Sequence, residues 1–209
     1  MNSDINQIRA LGEYKDSYIL VKKGSSLDEY PINYTLRDPN GKFSLFSAID
    51  SKMRIGGLTG EICNIYGENA FLQSLRKKRC NLGDIIPLLP SNQDNPLRHY
   101  TLLVLNRSGK DVDDHEKIFL KNTIIKALED ANRQGMQAVV IPGICCKTNS
   151  FPLSEAADLH FEAVEEFIEN NDNRVLRLFV FCLYQDDEIG AFLSTASYKF
   201  KKYTLHWKT

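Results

Sequence analysis

The sequence of 209 residues predicts an α/β domain in which helices cover a mixed, partly parallel β-sheet. Apolar strand-like runs alternate with helical patterns in the second half of the chain, as expected where parallel strands are joined through helices. The run at 137–141 is almost uninterrupted in its apolar character, which is typical of a central strand covered on both faces. The length suits one domain, placed at residues 17–209, behind an N-terminal extension of residues 1–16 that is expected to be either a short helix or a mobile tail.

The first half of the chain predicts four strands and one interrupted helical segment. Short runs rich in β-branched or aromatic residues, bounded by turn signals, place strands at 18–21, 43–49, 84–89 and 100–105. A helical pattern covers 59–78, and Gly67 is expected to divide it into two short helices. Basic residues 76–79 follow, where the helix dipole favours positive charge.

The second half contains the clearest helix signals. A helix is predicted at 114–134, with Asp113 and Glu116 as a capping box and Gly135 as a left-handed C-terminal cap. Another is predicted at 154–170, with Ser154 as its N-cap. The remaining predicted elements are strands at 137–141 and 175–183, a short helix at 186–195 and an edge strand at 198–207.

Composition excludes several classes of protein. A formal net charge of -1 argues against nucleic acid as a partner, and no apolar run approaches the roughly 20 residues that a membrane span needs. The N-terminus lacks the basic start and apolar middle of a secretory signal, so an intracellular location, cytoplasmic or nuclear, is expected. Five cysteines without CxxC pairs and four scattered histidines predict reduced thiols and no metal site.

Two loops occupy the position where ligands bind in sheets of this kind, beyond the carboxyl ends of strands. They are SAIDSKMRIGG, which starts after Phe46, and PGICCKTNSFP, which starts after Ile141. The first contains the pair Gly56 and Gly57. Adjacent glycines there indicate either backbone that approaches a ligand or a tight connection between strand and helix.

The two loops, in this order and with these elements between them, resemble the ligand loops of the macrodomain family. SAID and GGLTGEI stand where the family has Asn-Ala-Ala-Asn and a glycine run of the type Gly-Gly-Val-Asp-Gly. IPGICC and the following Phe-Pro stand where it has Phe-Pro-x-Ile-Ser-Thr-Gly-x-x-Gly-x-Pro. The resemblance runs from about Tyr18 to Tyr184. It implies a three-layer α/β/α fold with a central mixed sheet and a cleft that binds ADP-ribose.

Several positions that the resemblance places at the ligand carry other residue types. Ser25 replaces the aspartate that recognises adenine, and Asp50 replaces the asparagine at the distal ribose. Thr59 replaces the acidic residue of the glycine loop, and Asn149 replaces an aromatic residue of the second loop. Lys147 replaces a glycine of the diphosphate cradle, where its side chain crowds the backbone while its ammonium offers a point charge instead.

The resemblance therefore implies a ligand-binding set with altered chemistry, composed of Ser25, Gly56, Gly57, Thr59, Gly143, Ile144, Cys145, Cys146, Lys147 and Asn149. Asp50 is the candidate catalytic residue, acting as a general base on a ribose or a water. The alternative, which we favour, is that Asp50 caps a helix or orders a loop. The two cysteines supply either a thiolate or small apolar filling, and the second interpretation is favoured because no histidine is assigned beside them.

Three functions follow from these residues. The first is binding of ADP-ribose or a related nucleotide at a degenerate site, with weak or no hydrolysis and with an ADP-ribosylated protein as a further partner. The second is an ADP-ribosyl hydrolase that removes ADP-ribose from modified macromolecules, with Asp50 as base. The third is a non-catalytic protein-interaction module that has lost the ligand. No cofactor is expected, and His160 is expected on the polar side of its helix.

Overall fold

The computed structural model describes residues 8–27, 42–76, 80–88, 98–105, 113–146 and 151–199. Within these residues the strands form one sheet of order β1-β2-β7-β6-β3-β5-β4. The elements, in chain order, are β1 (Ile8–Tyr14), β2 (Ser17–Lys23), β3 (Phe43–Ile49), α1 (Gly57–Tyr66), α2 (Glu68–Arg76), β4 (Ile85–Leu88), β5 (Arg98–Val104), α3 (Asp114–Arg133), β6 (Ala138–Ile141), α4 (Leu153–Asn170), β7 (Leu178–Leu183) and α5 (Asp186–Lys199).

The sheet is mixed, with a parallel centre and antiparallel edges. The five strands from β2 to β5 in the spatial order are parallel to one another, whereas β1 pairs antiparallel with β2 and β4 antiparallel with β5. Parallel strands bring their carboxyl ends to one edge of the sheet. The loops after β3 and β6, which are neighbouring strands, therefore leave that edge side by side.

Helices cover both faces of the sheet. On one face, Leu128 of α3, Phe161 of α4 and Phe192 of α5 belong to one buried apolar cluster with the strands. On the other face, Ile62 of α1 and Phe71 of α2 belong to a second cluster. These two apolar clusters confirm the predicted three-layer α/β/α architecture.

The predicted helix boundaries are confirmed where local chemistry sets them. Gly67 separates α1 from α2 with a φ of 92°. The Asp113 carboxylate accepts from the backbone N–H of Glu116 at 2.8 Å, and Gly135, with a φ of 74°, follows the C-terminal end of α3. The backbone N–H groups of Gly135 and Met136 donate to the carbonyls of Asn132 and Ala131, both at 3.0 Å, which is the Schellman pattern. These contacts satisfy carbonyls that the end of α3 leaves open.

The predicted N-terminal extension is wrong for residues 8–16. Residues Ile8–Tyr14 form β1, an edge strand of the same sheet, and not a short helix or a tail. The hairpin turn consists of Lys15 and Asp16, with φ values of 42° and 61°. A two-residue turn with two positive φ values matches the twist of the flanking strands, but neither residue is the glycine or asparagine that marks such turns in a sequence.

Two further predictions near helix ends are wrong. The edge strand predicted at 198–207 is contradicted at Tyr198 and Lys199, which belong to α5, and residues 200–209 lie outside the described residues. Tyr198 is held in the helix by a hydrogen bond from its hydroxyl to Asp158 of α4. Ser154 is not the N-cap of α4, because the helix begins at Leu153 and Pro152 occupies the cap position without a side-chain cap bond.

Candidate functional site

The segment 50–56, termed the β3 loop, is ordered by Asp50. The Asp50 carboxylate, 4% exposed, accepts from the backbone N–H groups of Lys52 at 3.1 Å and Arg54 at 3.0 Å, and from Arg54 Nε at 2.5 Å. The Met53 N–H donates to the Asp50 carbonyl at 2.8 Å, and Met53 has a φ of 55°. Both carboxylate oxygens thus shape the loop, which agrees with the loop-ordering part of the alternative to a general base; Asp50 does not cap α1, whose N-cap is Gly56.

Gly56 and Gly57 connect this loop to α1 and face open space. A Cβ added at either position would meet no heavy atom of the described residues within 4 Å. Gly57 has a φ of +53°, a conformation that favours glycine, whereas Gly56 is extended, with a φ of -178°. No neighbouring segment among the described residues accounts for the lack of a side chain at Gly56. Open space beside bare backbone is what an approaching ligand requires.

Thr59 faces the protein interior. Its hydroxyl donates to the Ala48 carbonyl at 2.7 Å and lies 2.8 Å from the Ser47 hydroxyl. The residue is buried, and these bonds hold the first turn of α1 against the end of β3. The altered residue type at this position therefore has a structural purpose in this chain.

The segment 142–146, termed the β6 loop, is tightly packed. A Cβ at Gly143 would lie 3.2 Å from Cys146 Cβ and 3.3 Å from Glu188 Cδ, which is closer than ordinary van der Waals contact. Ile144 and Cys146 are buried in the apolar cluster under α4. The glycine here is explained by packing within the protein, in contrast to the glycine pair of the β3 loop.

Glu188 links the β6 loop to the end of β7. It is buried at the start of α5, and its carboxylate accepts from the backbone N–H groups of Tyr184 and Gln185, both at 3.3 Å. This is the backward half of a capping box, with the acidic residue in the first turn satisfying donors ahead of the helix. One carboxylate thus caps α5 and packs against Gly143.

The two cysteines of the β6 loop are protonated at neutral pH. Burial, together with the nearby charge of Glu116, raises the pKa of Cys145 to about 12. Burial also raises the pKa of Cys146, with the charge of Glu188 acting in the same direction. A thiolate is the reactive form of cysteine, so this environment favours the interpretation of both residues as small apolar groups.

Comparisons with known proteins agree on the fold. No protein-family model and no curated protein matches the sequence. The Oceanobacillus iheyensis macrodomain with ADP matches the structure with a TM-score of 0.74 and 18% identity, over 93% of this chain and 98% of that chain. A mutant of that macrodomain with ADPR has a TM-score of 0.70 and 15% identity, over 92% and 99%. The Trypanosoma brucei macrodomain in complex with ADP has a TM-score of 0.66 and 17% identity, over 85% and 68%.

The chain has the macrodomain fold. Identities of this size establish the fold alone, so the ligand site has to be judged from the residues of this chain. The predicted site residues Lys147 and Asn149 lie outside the described residues. The ligand roles of the other predicted site residues stay predictions.

Ser25 follows β2 and lies next to the end of β7, at the sheet edge that holds the carboxyl ends of the parallel strands. The backbone N–H of Gly24 donates to the Leu183 carbonyl at 2.9 Å, and the Ser25 hydroxyl accepts from the N–H of Leu27 at 3.3 Å. Tyr184 directly follows β7 and is 71% exposed. This tyrosine was not among the predicted site residues. The available signal was an aromatic residue at the carboxyl end of a buried strand, where a flat ligand group could stack on it.

Arg54 is the second residue that the sequence analysis missed. Its side chain is 60% exposed although Nε is bonded to Asp50, and it lies two positions before Gly56. An anchored guanidinium still presents its terminal N–H groups, which suits recognition of phosphate or carboxylate. Asp50 and Arg54 are four positions apart in a loop and not in a helix, so their spacing in the sequence did not predict the contact.

The prediction for His160 is wrong. Its side chain is fully buried, with Nδ1 donating to the Ala156 carbonyl at 2.7 Å and the ring packed edgewise on Phe181 and Phe192. Burial lowers the pKa of His160 to about 4, against the opposing effect of the carbonyls of Ala156 and Pro142. The imidazole is therefore a neutral part of the core beneath the β6 loop.

Neither a membrane-spanning helix nor a metal cluster occurs in the described ranges. Their helices are all too short or too polar to cross a membrane. No group of three or more histidine, cysteine, aspartate or glutamate residues there could hold a metal ion.

Proposed function

We propose that this protein binds ADP-ribose or a related nucleotide between the β3 loop and the β6 loop, with weak or no hydrolysis. The observation that carries this function is the open space beside Gly56 and Gly57, at the carboxyl end of a central parallel strand. Backbone N–H groups presented without a side chain bind phosphate oxygens well. Two solved structures with the same fold contain ADP, and another contains ADPR.

The charges and rings along the sheet edge are consistent with a nucleotide that lies across it. Arg54 supplies a positive group beside the glycine pair, where a diphosphate would neutralise it. Tyr184 supplies an exposed ring near Ser25, where a base would stack. The β3 and β6 loops lie between the Tyr184 end and the β5 end of this edge, so base and distal ribose would occupy opposite ends.

Hydrolysis with Asp50 as base is less well supported than binding. The Asp50 carboxylate is buried and accepts three hydrogen bonds from its own loop, so few lone pairs are left for a water or a ribose hydroxyl. We therefore expect the unaltered protein to release little or no ADP-ribose from a modified protein. Release that is rapid and is abolished by Asp50→Ala, with the variant still folded, would instead establish the hydrolase.

Calorimetry with ADP-ribose tests binding directly. Gly56→Val is the sharpest variant, because an extended φ accepts any residue and an added Cβ meets no described atom within 4 Å. We expect Gly56→Val to weaken ADP-ribose binding by at least about tenfold, while the loss of glycine at the N-cap of α1 lowers the free energy of unfolding by no more than about 1 kcal/mol, so that the variant stays folded. The matched control is Gly190→Val on the exposed side of α5, where an added Cβ also meets no described atom within 4 Å.

Lys147→Gly provides the second arm of the calorimetric experiment. Removing this side chain restores bare backbone at the position that the resemblance assigns to the diphosphate cradle, so we expect binding to strengthen. Absence of heat at millimolar ADP-ribose, both for the unaltered protein and for Lys147→Gly, would reject ligand binding. That result would leave the protein-interaction module as the better explanation.

A further inference from the structure

A cavity of about 140 Å³ adjoins the β6 loop. It lies between the end of β5, the start of α3 and the segment before β4, and its apolar walls come from Leu82, Leu105, Phe119 and Phe151. A cavity of about 150 Å³ is large enough for a benzene-sized group. The cavity therefore has room for a planar group with a few methylenes, rather than for a nucleotide.

The cavity continues the proposed ligand cleft at its β5 end. Cys145 belongs to the β6 loop and also lines the cavity. The backbone N–H of Leu105, another lining residue, donates to the Ile49 carbonyl at the end of β3 at 2.9 Å. In the sheet order this end lies opposite Ser25 and Tyr184. A nucleotide with its base near Tyr184 would point its distal ribose, and any group attached to that ribose, towards the cavity.

The polar lining of the cavity is acidic. Glu116 and Asp113 both line it, and the buried Oε2 of Glu116 has no hydrogen-bond partner among the described residues. Glu116 and Cys145 line the same cavity, and the charge of Glu116 acts with burial to raise the pKa of the Cys145 thiol. The neighbouring Lys117 does not neutralise it, because its ammonium pairs with Glu155 at 2.6 Å and with Asp114 at 3.3 Å. His115 also lines the cavity, and this residue is exposed.

We propose that this cavity binds an alkyl guanidinium, so that the cleft selects ADP-ribose attached to an arginine side chain. The proposal rests on the proposed function, since the nucleotide would position the arginine. A guanidinium is planar, weakly hydrated and always charged, and it stacks on aromatic faces such as those of Phe119 and Phe151. Its methylenes would pack on Leu82 and Leu105 while its positive charge lies beside the acidic residues Glu116 and Asp113 of the lining.

The same lining disfavours other attachments of ADP-ribose. An uncharged serine linkage would bring no positive charge to Glu116 and Asp113, so it would gain none of the attraction that a guanidinium gains there. A free carboxylate from an acidic side chain would be repelled by Glu116 and Asp113. Arginine is thus selected because its positive charge is attracted to the acidic lining, and because serine and acidic side chains gain no such attraction.

The experiment compares three ligands by calorimetry: ADP-ribose, a peptide with ADP-ribose on arginine, and the same peptide with ADP-ribose on serine in place of that arginine. We expect the unaltered protein to bind the arginine conjugate at least about tenfold more tightly than the serine conjugate. Glu116→Gln should remove this preference while the affinity for ADP-ribose alone stays unchanged. Asp114→Asn is the matched control, because it removes a carboxylate from the same turn that is 91% exposed and outside the cavity lining.

The outcomes separate this inference from the proposed function. If ADP-ribose binds but the two conjugates bind equally, or if the preference survives Glu116→Gln, the guanidinium site is overturned and nucleotide binding stands. If Asp114→Asn removes the preference as fully as Glu116→Gln, a general effect of charge replaces the cavity as the cause and overturns the proposal. If none of the three ligands binds, both proposals fail.

Discussion

Glycines in the two loops of the site have opposite roles. Gly143 is enclosed by Cys146 and Glu188, so its missing side chain is a requirement of packing inside the protein. Gly56 has no described neighbour and an extended backbone, so packing within the described protein does not require glycine there. The same residue type therefore marks core packing in one loop and an open approach in the other.

Alanine substitutions at these two glycines should separate the roles. Gly143→Ala forces Cys146 or Glu188 to move by a few tenths of an ångström, and we expect a loss of about 1 to 2 kcal/mol in the free energy of unfolding. Gly56→Ala should change stability by less than about 1 kcal/mol, because alanine restricts the unfolded chain but is a poorer residue than glycine at the N-cap of α1. Urea unfolding measures both. Equal stability of Gly143→Ala and the unaltered protein would contradict the tight packing of the β6 loop.

His160 should make stability depend on pH. Its pKa falls from 6.5 to about 4 on folding, so the unfolded chain binds the proton more readily and stability is lost as the pH falls through this window. The full loss between these values corresponds to about 3 kcal/mol for this residue. His160→Leu, which cannot titrate, should show a shallower decline of unfolding free energy between pH 7 and pH 4.5. Parallel declines in the two proteins would exclude His160 as the source.

At the residue scale, the sequence could locate the loops but not the direction of their side chains. Asp50 was recognisable as a loop residue, yet the donors to its carboxylate depend on the turn made by Lys52 to Arg54. Thr59 and His160 face inwards for the same kind of reason, because burial is decided by the element packed above them. Residue type alone carries no such information.

Among the elements, those with local end signals were predictable. Asp113 and Gly135 bound α3 as predicted, because capping depends on residues close in sequence. β1 was missed because Lys15 and Asp16 form its turn without glycine, so the pairing with β2 is a tertiary effect. The end of α5 was mistaken for a strand because aromatic residues and lysines alternate there, while a contact with Asp158 of α4 holds Tyr198 in the helix.

The C-terminal cap of α3 offers a test at this scale. Gly135 has a φ of 74°, and a Cβ there meets no described atom, so Gly135→Ala introduces backbone strain without a steric clash. We expect Gly135→Ala to lower the free energy of unfolding by about 1 kcal/mol. Gly190→Ala, at an exposed helical position of α5, should instead raise stability by about 0.5 to 1 kcal/mol. Chemical denaturation measures the free energy of unfolding of both variants. An unchanged free energy of unfolding for Gly135→Ala would show that the Schellman pattern does not stabilise the protein.

For the whole molecule, the sheet order determines which loops can share a ligand. The loop after β3 and the loop after β6 are far apart in sequence and adjacent in space because β6 pairs with β3. Hydrophobic periodicity predicts strands but not their order, and it was the resemblance to a known fold that placed the two loops together. The same strand order places the acidic cavity at the β5 end of this sheet edge. No local sequence pattern predicts that its lining residues come together.

Binding in the cleft should stabilise the entire fold. A ligand that binds only the folded state raises its stability with the logarithm of ligand concentration, by about 2.7 kcal/mol at a hundred times the dissociation constant. For a domain of this size we expect the unfolding midpoint to rise by roughly 5 to 10 °C at that concentration. Adenosine, which lacks the diphosphate that the glycine pair would hold, should raise it less at the same concentration. If Gly56→Val binds ADP-ribose tenfold more weakly, its midpoint should rise only about half as much at the same ligand concentration, whereas Gly190→Val should behave like the unaltered protein. A midpoint of the unaltered protein that stays constant up to millimolar ADP-ribose would contradict nucleotide binding by this fold.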